Sequence, residues 1–164
     1  MKAITIYQPW ASLIGPAKRI ETRSRPISYR GPLAIHAGKT TPAWVWEIVK
    51  EDAALRDVLM RTFKHTRFET LPTGVIVATC ELANCLIIGQ TPMRICTVCK
   101  GYLAECGHTN THTEQGVPPI KGVEQEYLLG DFSPGRHAWM LDNIKPLPEP
   151  IAATGKQGLW EWER

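Results

Sequence analysis

The chain has 164 residues, of which 43% are hydrophobic and 21% are charged, and its formal net charge is +3 at pH 7. This length and composition exclude a disordered chain and fit one folded domain with its own core. The positive charge is local, because residues 1–30 carry six lysines and arginines against one acid, Glu21. Such a concentration is typical of a site for an anion such as a phosphate or a nucleic-acid backbone. A solvated, charged edge strand is the alternative.

The N-terminal stretch predicts neither export nor membrane insertion. Gln8 and Pro9 interrupt the apolar run that would form the core of a signal peptide, and no apolar run approaches the length of a membrane span. We therefore expect a cytoplasmic protein that has no membrane partner. Its five cysteines should be reduced thiols or metal ligands.

The first 30 residues predict a strand, a short helix and a polar strand. "AITIYQ" alternates as a strand does, and "PWASLIG" has proline at a first helical position and glycine at its end. "KRIETRSRP" alternates as a polar strand. If that strand is regular, its two faces carry Lys18, Ile20, Thr22 and Ser24 on one side and Arg19, Glu21, Arg23 and Arg25 on the other.

The next segments predict a buried strand and then a long helix. "GPLAIHAG" is apolar and contains His36, which we interpret as a hydrogen-bonded core histidine. Thr41 is a candidate N-cap, and Pro42 fits the first turn of a helix that runs through "AWVWEIVKEDAALRDVLMRTF". The apolar residues near helical spacing are Trp44, Ile48, Leu55, Leu59 and Phe63.

The remaining regular segments predict further strands. "GVIVATCELANCLII" is the best central strand, and its one acid is Glu81. "HAWMLDNIKPL" and "GLWEWE" predict two more strands, separated by the proline-rich link "PLPEPI". Strands in succession, without a repeated strand–helix rhythm, favour an α+β fold that is a compact β-barrel with helices on its outside.

The segment at about 89–126 is interpreted as a Cys/His-rich insertion in this single domain, because it has little apolar periodicity. Cys96, Cys99 and Cys106, with His108 or His112, supply four ligands of the kind that zinc prefers, and a CxxC pair lets two thiolates reach one tetrahedral ion. We therefore predict structural zinc, which would supply free energy that such a loop cannot obtain from apolar burial. Spare thiols or a redox pair are the alternative.

Two stretches, "ITIYQPWASLI" and "GPAKRIETRSRPISYRGPLAIHAG", resemble the opening of the ASCH family, which is related to the PUA RNA-binding fold. The family pattern G-x-K-x-x-E-x-R is matched by Gly15, Lys18, Glu21 and Arg23, with one extra residue between the glycine and the lysine. "VIVATCELANC" resembles the family's central strand, with its acid at Glu81, and the chain from "GDFSPGRHAW" onwards resembles its last strands. The resemblance covers nearly the whole chain except the insertion and much of residues 41–73.

The resemblance implies a small PUA-like barrel whose Lys, Glu and Arg line a cleft for RNA or nucleotides. Some bacterial members hydrolyse the acetyl amide of N4-acetylcytidine with a lysine, a threonine and a glutamate. On this sequence the lysine and the glutamate correspond to Lys18 and Glu81, whereas the threonine position holds Glu21. A carboxylate is a poor replacement for a hydroxyl nucleophile. Another member is described as a ribonuclease, which needs only acid–base groups and cations.

Two classes of function follow from these residues. In a binding protein, Arg23 would grip a phosphate of RNA or of a modified nucleotide, and Tyr7 or Trp10 would stack on a base. In a hydrolase, an N4-acylcytidine amidohydrolase or a ribonuclease, Lys18, Glu21 and Glu81 would be the catalytic residues. An ion-pair network without catalytic function is the structural alternative. A third reading makes the zinc loop a protein-interaction element.

Overall fold

The computed structural model describes residues 1–64, 68–89, 95–96, 111–112 and 124–163. Within these ranges the strands are β1 (Lys2–Ile6), β2 (Ile20–Arg23), β3 (Gly31–Ala37), β4 (Val75–Ile87), β5 (Ile95–Cys96), β6 (Thr111–His112), β7 (His137–Ala152) and β8 (Leu159–Glu161). The α-helices are α1 (Trp10–Leu13), α2 (Ala43–Glu51) and α3 (Ala53–Phe63), and 3₁₀ turns cover Phe68–Thr70 and Glu124–Leu128. The prediction of a mixed α+β fold is confirmed. No helix among the described residues is both long and apolar enough to cross a bilayer.

Six strands form a sheet in the order β2-β7-β4-β3-β1-β8, and β5 pairs with β6 separately. Strand β1 is parallel to β3 and antiparallel to β8, while β3 is antiparallel to β4. The central position of β4, between β7 and β3, confirms the prediction from its long apolar run.

The chain divides into two compact units. The first comprises Met1–Arg19, Tyr29–Ala83 and Leu141–Arg164, and the second comprises Ile20–Ser28 and Asn84–Met140. In the first unit Trp160 and Trp162 are buried in one apolar cluster with Ala3, Ala34 and Ile76. In the second unit Ile20, Ile88, Phe132 and Ala138 form another apolar cluster.

The long helix predicted over residues 43–63 is two helices, because the chain is extended at Asp52. This residue has φ −84° and ψ 101°, and its carboxylate accepts a hydrogen bond of 2.9 Å from the Leu55 amide, which makes it the N-cap of α3. The break resets the helical phase. Trp44 and Ile48 are consequently exposed, whereas Val45 and Val49 are buried.

The N-cap prediction for Thr41 was also wrong. The N-cap residue of α2 is Pro42, and no side chain caps this helix. The Thr41 hydroxyl is buried and makes no hydrogen bond with any residue that the structure describes.

Strand β7 changes orientation at Asn143, which has a left-handed backbone conformation with φ 49°. Before it, the Leu141 amide donates to the carbonyl of Arg19, on the side of β2. After it, the Ala153 amide donates to the carbonyl of Gly74, at the start of β4. Residues 141 and 153 are both odd-numbered, and amides of equal parity in a regular strand point to one side. Here, however, they point to opposite sides. The irregularity at Asn143 therefore moves the odd-numbered amides from the β2 side to the β4 side of β7, as a bulge does.

This reversal explains why the proline-rich segment is part of β7 and does not separate two strands as we predicted. In the second half of β7 the odd-numbered amides point to β4. The three prolines of this segment, Pro146, Pro148 and Pro150, are even-numbered, so an N–H at these positions would point away from β4. The missing N–H groups therefore cost no hydrogen bond to β4. Prolines at this edge also prevent pairing with another strand.

His36 is a core histidine, as predicted, with only 1% of its surface exposed. Its Nε2 lies 3.1 Å from the carbonyl oxygen of Ala153, and its Nδ1 lies 3.2 Å from the Thr5 hydroxyl. Because a carbonyl oxygen can only accept, Nε2 carries the proton in this hydrogen bond. A Cβ on Gly155 would lie 2.3 Å from the ring, so glycine is required at that position.

We expect His36 to make folding stability depend on pH. Burial lowers the pKa of His36 from its ordinary value of 6.5, although the hydrogen bond to Ala153 opposes this effect. The unfolded chain therefore binds a proton below pH 6.5 while the folded chain does not. The stabilisation is complete above pH 6.5 and is lost as the pH falls towards the lower, folded pKa, with a slope of at most about 1.4 kcal/mol per pH unit.

Urea unfolding of the wild type and of His36→Gln between pH 8 and pH 5 would measure this contribution as the difference in slope. An imidazole NMR titration of the wild type checks the same point without the variant. A pKa for His36 at or above 6.5 would contradict the prediction.

Candidate functional site

The glycine of the motif forms a tight turn that positions Lys18. Gly15 has φ 101° and donates its amide to the carbonyl of Lys18 at 2.9 Å. A Cβ at this position would lie 3.1 Å from Ile144 Cγ2 and 3.2 Å from Pro146 Cγ. Both the backbone conformation and the packing against β7 therefore require glycine.

Lys18 lies in this turn and not in the polar strand, which corrects the face that we predicted for it. The strand β2 begins at Ile20 because the turn continues to Lys18, which forms an isolated bridge with Ile14. Only 1% of Lys18 is exposed. Burial of an ammonium group is costly without a partner, and Lys18 does have an interaction partner.

The register between β2 and β7 separates a polar face from an apolar face. Glu21 lies opposite Trp139 and Arg23 lies opposite His137, and directly opposed residues of antiparallel strands share a face. We call Glu21, Arg23, His137 and Trp139 the polar face of the ladder. The predicted alternation of Glu21 and Arg23 with Thr22 is confirmed.

An ion pair joins the two motif residues on the polar face. Arg23 Nε lies 3.0 Å from Glu21 Oε1. The Glu21 side chain is largely buried, while 34% of the Arg23 side chain is exposed. The guanidinium thus compensates the buried carboxylate and still presents cationic surface.

The two residues opposite this ion pair carry buried nitrogens without a partner. Trp139 Nε1 and His137 Nδ1 make no hydrogen bond with any residue in the described part of the chain. The strand predicted for this segment is confirmed, but the sequence did not place these two residues beside the motif. Their relation to the motif depends on pairing across more than 100 residues, for which the sequence gives no local signal.

Thr22 lies on the apolar face of the ladder, opposite Ala138, and not on the polar face. The Thr22 hydroxyl accepts a hydrogen bond of 3.1 Å from the Asp131 amide. A Cβ on Gly130 would lie 3.1 Å from the same oxygen, so this turn is closely packed on Thr22. Thr22 therefore does not supply the polar face with a hydroxyl nucleophile.

Glu126 is a further acid near the motif that the sequence did not single out. It is 5% exposed, and its Oε2 accepts a hydrogen bond of 3.1 Å from the Ile20 amide. Ile20 is opposite Met140, and its amide points away from β7, since Arg19 pairs through its carbonyl with Leu141. Glu126 thus provides a hydrogen-bond acceptor for the edge of β2 that faces away from β7.

Glu81, the predicted catalytic acid of β4, lies in the first unit and is exposed. Its Oε2 accepts a hydrogen bond of 3.0 Å from the Asn143 side-chain amide. The neighbouring Cys80 is buried, and its Sγ donates to the carbonyl of Leu33. Burial, together with the charge of Glu81, raises the pKa of Cys80 to about 12, so this thiol is not a nucleophile at neutral pH.

The predicted stacking residues lie in the first unit. Tyr7 follows β1 and is exposed, and its ring meets Trp44 edge to face at a centroid distance of 6.2 Å. Trp10 is the first residue of α1 and is half-buried.

The predicted zinc ligands fall mostly outside the described residues, which include neither Cys99, Cys106 nor His108. The backbone of Cys96 is described in β5, where it pairs with Thr111, and His112 pairs with Ile95. The donor set of three thiols and an imidazole fits tetrahedral zinc. The zinc site stays a prediction.

Comparison with protein-family models gives no match for this chain, and comparison with curated proteins gives no significant match. The resemblance to the ASCH family therefore remains a prediction from the motif residues.

We expect Gly15→Ala to destabilise the protein by about 1–3 kcal/mol, since alanine at φ 101° is strained and its Cβ would press on Ile144 and Pro146. Gly89→Ala is the matched control, because Gly89 has no positive φ and no atom of the described residues lies within 4 Å of a Cβ there. Urea unfolding of both variants measures the difference. Equal stability of the two variants would contradict the role of Gly15.

Proposed function

We propose that this protein is an ASCH-like domain with a PUA-like barrel, and that it binds RNA or a modified nucleoside or nucleotide through the polar face of the β2–β7 ladder. The observation that carries the proposal is the Glu21–Arg23 ion pair with its exposed cationic surface. Glu21 and Arg23 belong to the K-x-x-E-x-R motif on which the resemblance rests.

The charge distribution supports an anionic ligand. Residues 1–30 concentrate six cations, and within them Arg19 and Arg25 are exposed while Arg23 is partly exposed. A local positive field accelerates association with a polyanion and makes the affinity depend on salt. Arg23 presents a planar guanidinium, which can contact two phosphate oxygens at once.

Binding explains the described residues better than catalysis does. The threonine position of the amidohydrolases holds Glu21, and the neighbouring Thr22 lies on the opposite face with its hydroxyl engaged by Asp131. Glu21 is engaged by Arg23 in an ion pair, which suits a binding role. The hydrolase alternative has no comparable support.

We expect Arg23→Ala to weaken binding of a mixed-sequence single-stranded RNA by about tenfold and to reduce the slope of log affinity against log salt by about 0.7. Fluorescence anisotropy at several salt concentrations measures both effects. Arg61→Ala is the charge-matched control, because Arg61 is exposed on α3 and pairs only with Asp57 among the described residues. Arg23→Lys keeps the charge near Glu21 and should bind with intermediate affinity.

The proposal fails if the wild type binds neither RNA nor any nucleoside of a panel that includes N4-acylcytidines, or if Arg23→Ala binds as the wild type does. Mass spectrometry of the same mixtures tests the alternative function. Release of an acyl group or of cleaved RNA, lost in Lys18→Ala, would establish a hydrolase.

The structural zinc is part of the proposal and has its own test. We expect the purified protein to contain one zinc per chain by elemental analysis, and Cys99→Ser to lose most of it. Cys85→Ser is the control, because Cys85 is a half-buried free cysteine of β4. Equal zinc contents in the two variants, or no zinc in the wild type, would show that Cys99 is not a ligand.

A further inference from the structure

Trp139 has an unmet requirement for a hydrogen-bond acceptor. Its side chain is nearly completely buried, with 6% of the residue exposed, and Nε1 makes no hydrogen bond with the residues that the structure describes. Folded proteins leave few buried polar atoms in this state, since each costs free energy. An indole nitrogen can only donate, so the missing group is an acceptor.

Glu21, a hydrogen-bond acceptor, lies directly across the ladder from Trp139. It is paired in register with Trp139, and opposed residues of antiparallel strands have their Cβ atoms roughly 5 Å apart. An ionised carboxylate only accepts hydrogen bonds. Its two oxygens have about four lone-pair sites, so Glu21 can accept a further hydrogen bond while it is paired with Arg23. A ligand group with one acceptor next to one donor would therefore match Trp139 and Glu21 together.

We propose that Trp139 and Glu21 read the hydrogen-bonding edge of a nucleobase, with Trp139 Nε1–H donating to a carbonyl oxygen or ring nitrogen and Glu21 accepting from an N–H of the same edge. This inference rests on the proposed function and assigns the base, and not the phosphate, to these two residues. All four common bases have an acceptor beside a donor on their pairing edge.

A phosphate does not fit the same position. Its oxygens accept from Trp139, but they offer Glu21 no donor and carry the same sign of charge. The exposed part of Arg23 lies on the same face and can contact the backbone of the ligand. His137 lies opposite Arg23, and its ring nitrogen can either donate or accept, so it does not restrict the ligand further.

Isothermal titration with paired nucleosides tests this assignment. Uridine, cytidine, guanosine and adenosine are each compared with the partner whose edge N–H is methylated, namely 3-methyluridine, N4,N4-dimethylcytidine, 1-methylguanosine and N6,N6-dimethyladenosine. We expect the preferred nucleoside to bind about tenfold more tightly than its methylated partner, the effect of one lost hydrogen bond. In Glu21→Ala the two should bind equally.

Trp139→Phe keeps an aromatic ring and removes the N–H, so it should bind the preferred nucleoside about tenfold more weakly. Trp162→Phe is the matched control, because Trp162 is a buried tryptophan of the other unit. Thermal unfolding of each variant is recorded, and the nucleoside comparison in the wild type needs no variant at all.

Three results would overturn the assignment: equal affinity of Trp139→Phe and the wild type, equal affinity of methylated and unmethylated nucleosides, or competition by ribose phosphate as strong as that of the nucleotide. If the wild type binds RNA and Arg23→Ala weakens it while one of these results holds, only this inference fails. If the wild type binds neither RNA nor any nucleoside, the proposed function fails with it.

Discussion

The antiparallel register between β2 and β7 is the constraint on which the candidate site depends. Because side chains alternate along a strand, a shift of one residue would exchange the two faces and bring Thr22 into the place of Glu21. The register is secured on the apolar face, where Ile20 packs in an apolar cluster and the Thr22 hydroxyl accepts a hydrogen bond from the Asp131 amide. The Ile20 amide, which has no strand partner, is bound by Glu126. Hydrophobic burial and edge hydrogen bonds therefore help to fix the position of the charged pair.

The local part of this arrangement could be predicted from the sequence. Alternation alone placed Glu21 and Arg23 on one face and Thr22 on the other, because a period of two is a property of any strand. Lys18 was misplaced by the same reasoning, since the turn made by Gly15 ends the alternation before β2 begins. A positive φ is an option that glycine permits but does not require, so the sequence does not reveal where a strand starts.

The non-local part could not be predicted. Trp139 and Glu21 are separated by 117 intervening residues, and only the pairing of their strands makes them neighbours. The proline-rich link shows the same limit, because three prolines favour a loop until the reversal at Asn143 turns them to the side away from β4. The break at Asp52 differs, since an aspartate followed by apolar residues at helical spacing is a recognisable N-cap signal.

In the proposed function, the buried tryptophan and the ion pair place different demands on the ligand. A cation with exposed surface, as on Arg23, attracts phosphate from any source and gives little selectivity. A buried donor beside a buried acceptor rejects a group that cannot satisfy both, because the protein atom left unpaired has no water to replace the lost bond. In the proposed function, the arginine that pairs with Glu21 also contacts the backbone of the ligand, while Glu21 accepts from the base edge. Affinity and selectivity would then depend on one ion pair, which would explain a glutamate within an otherwise cationic stretch.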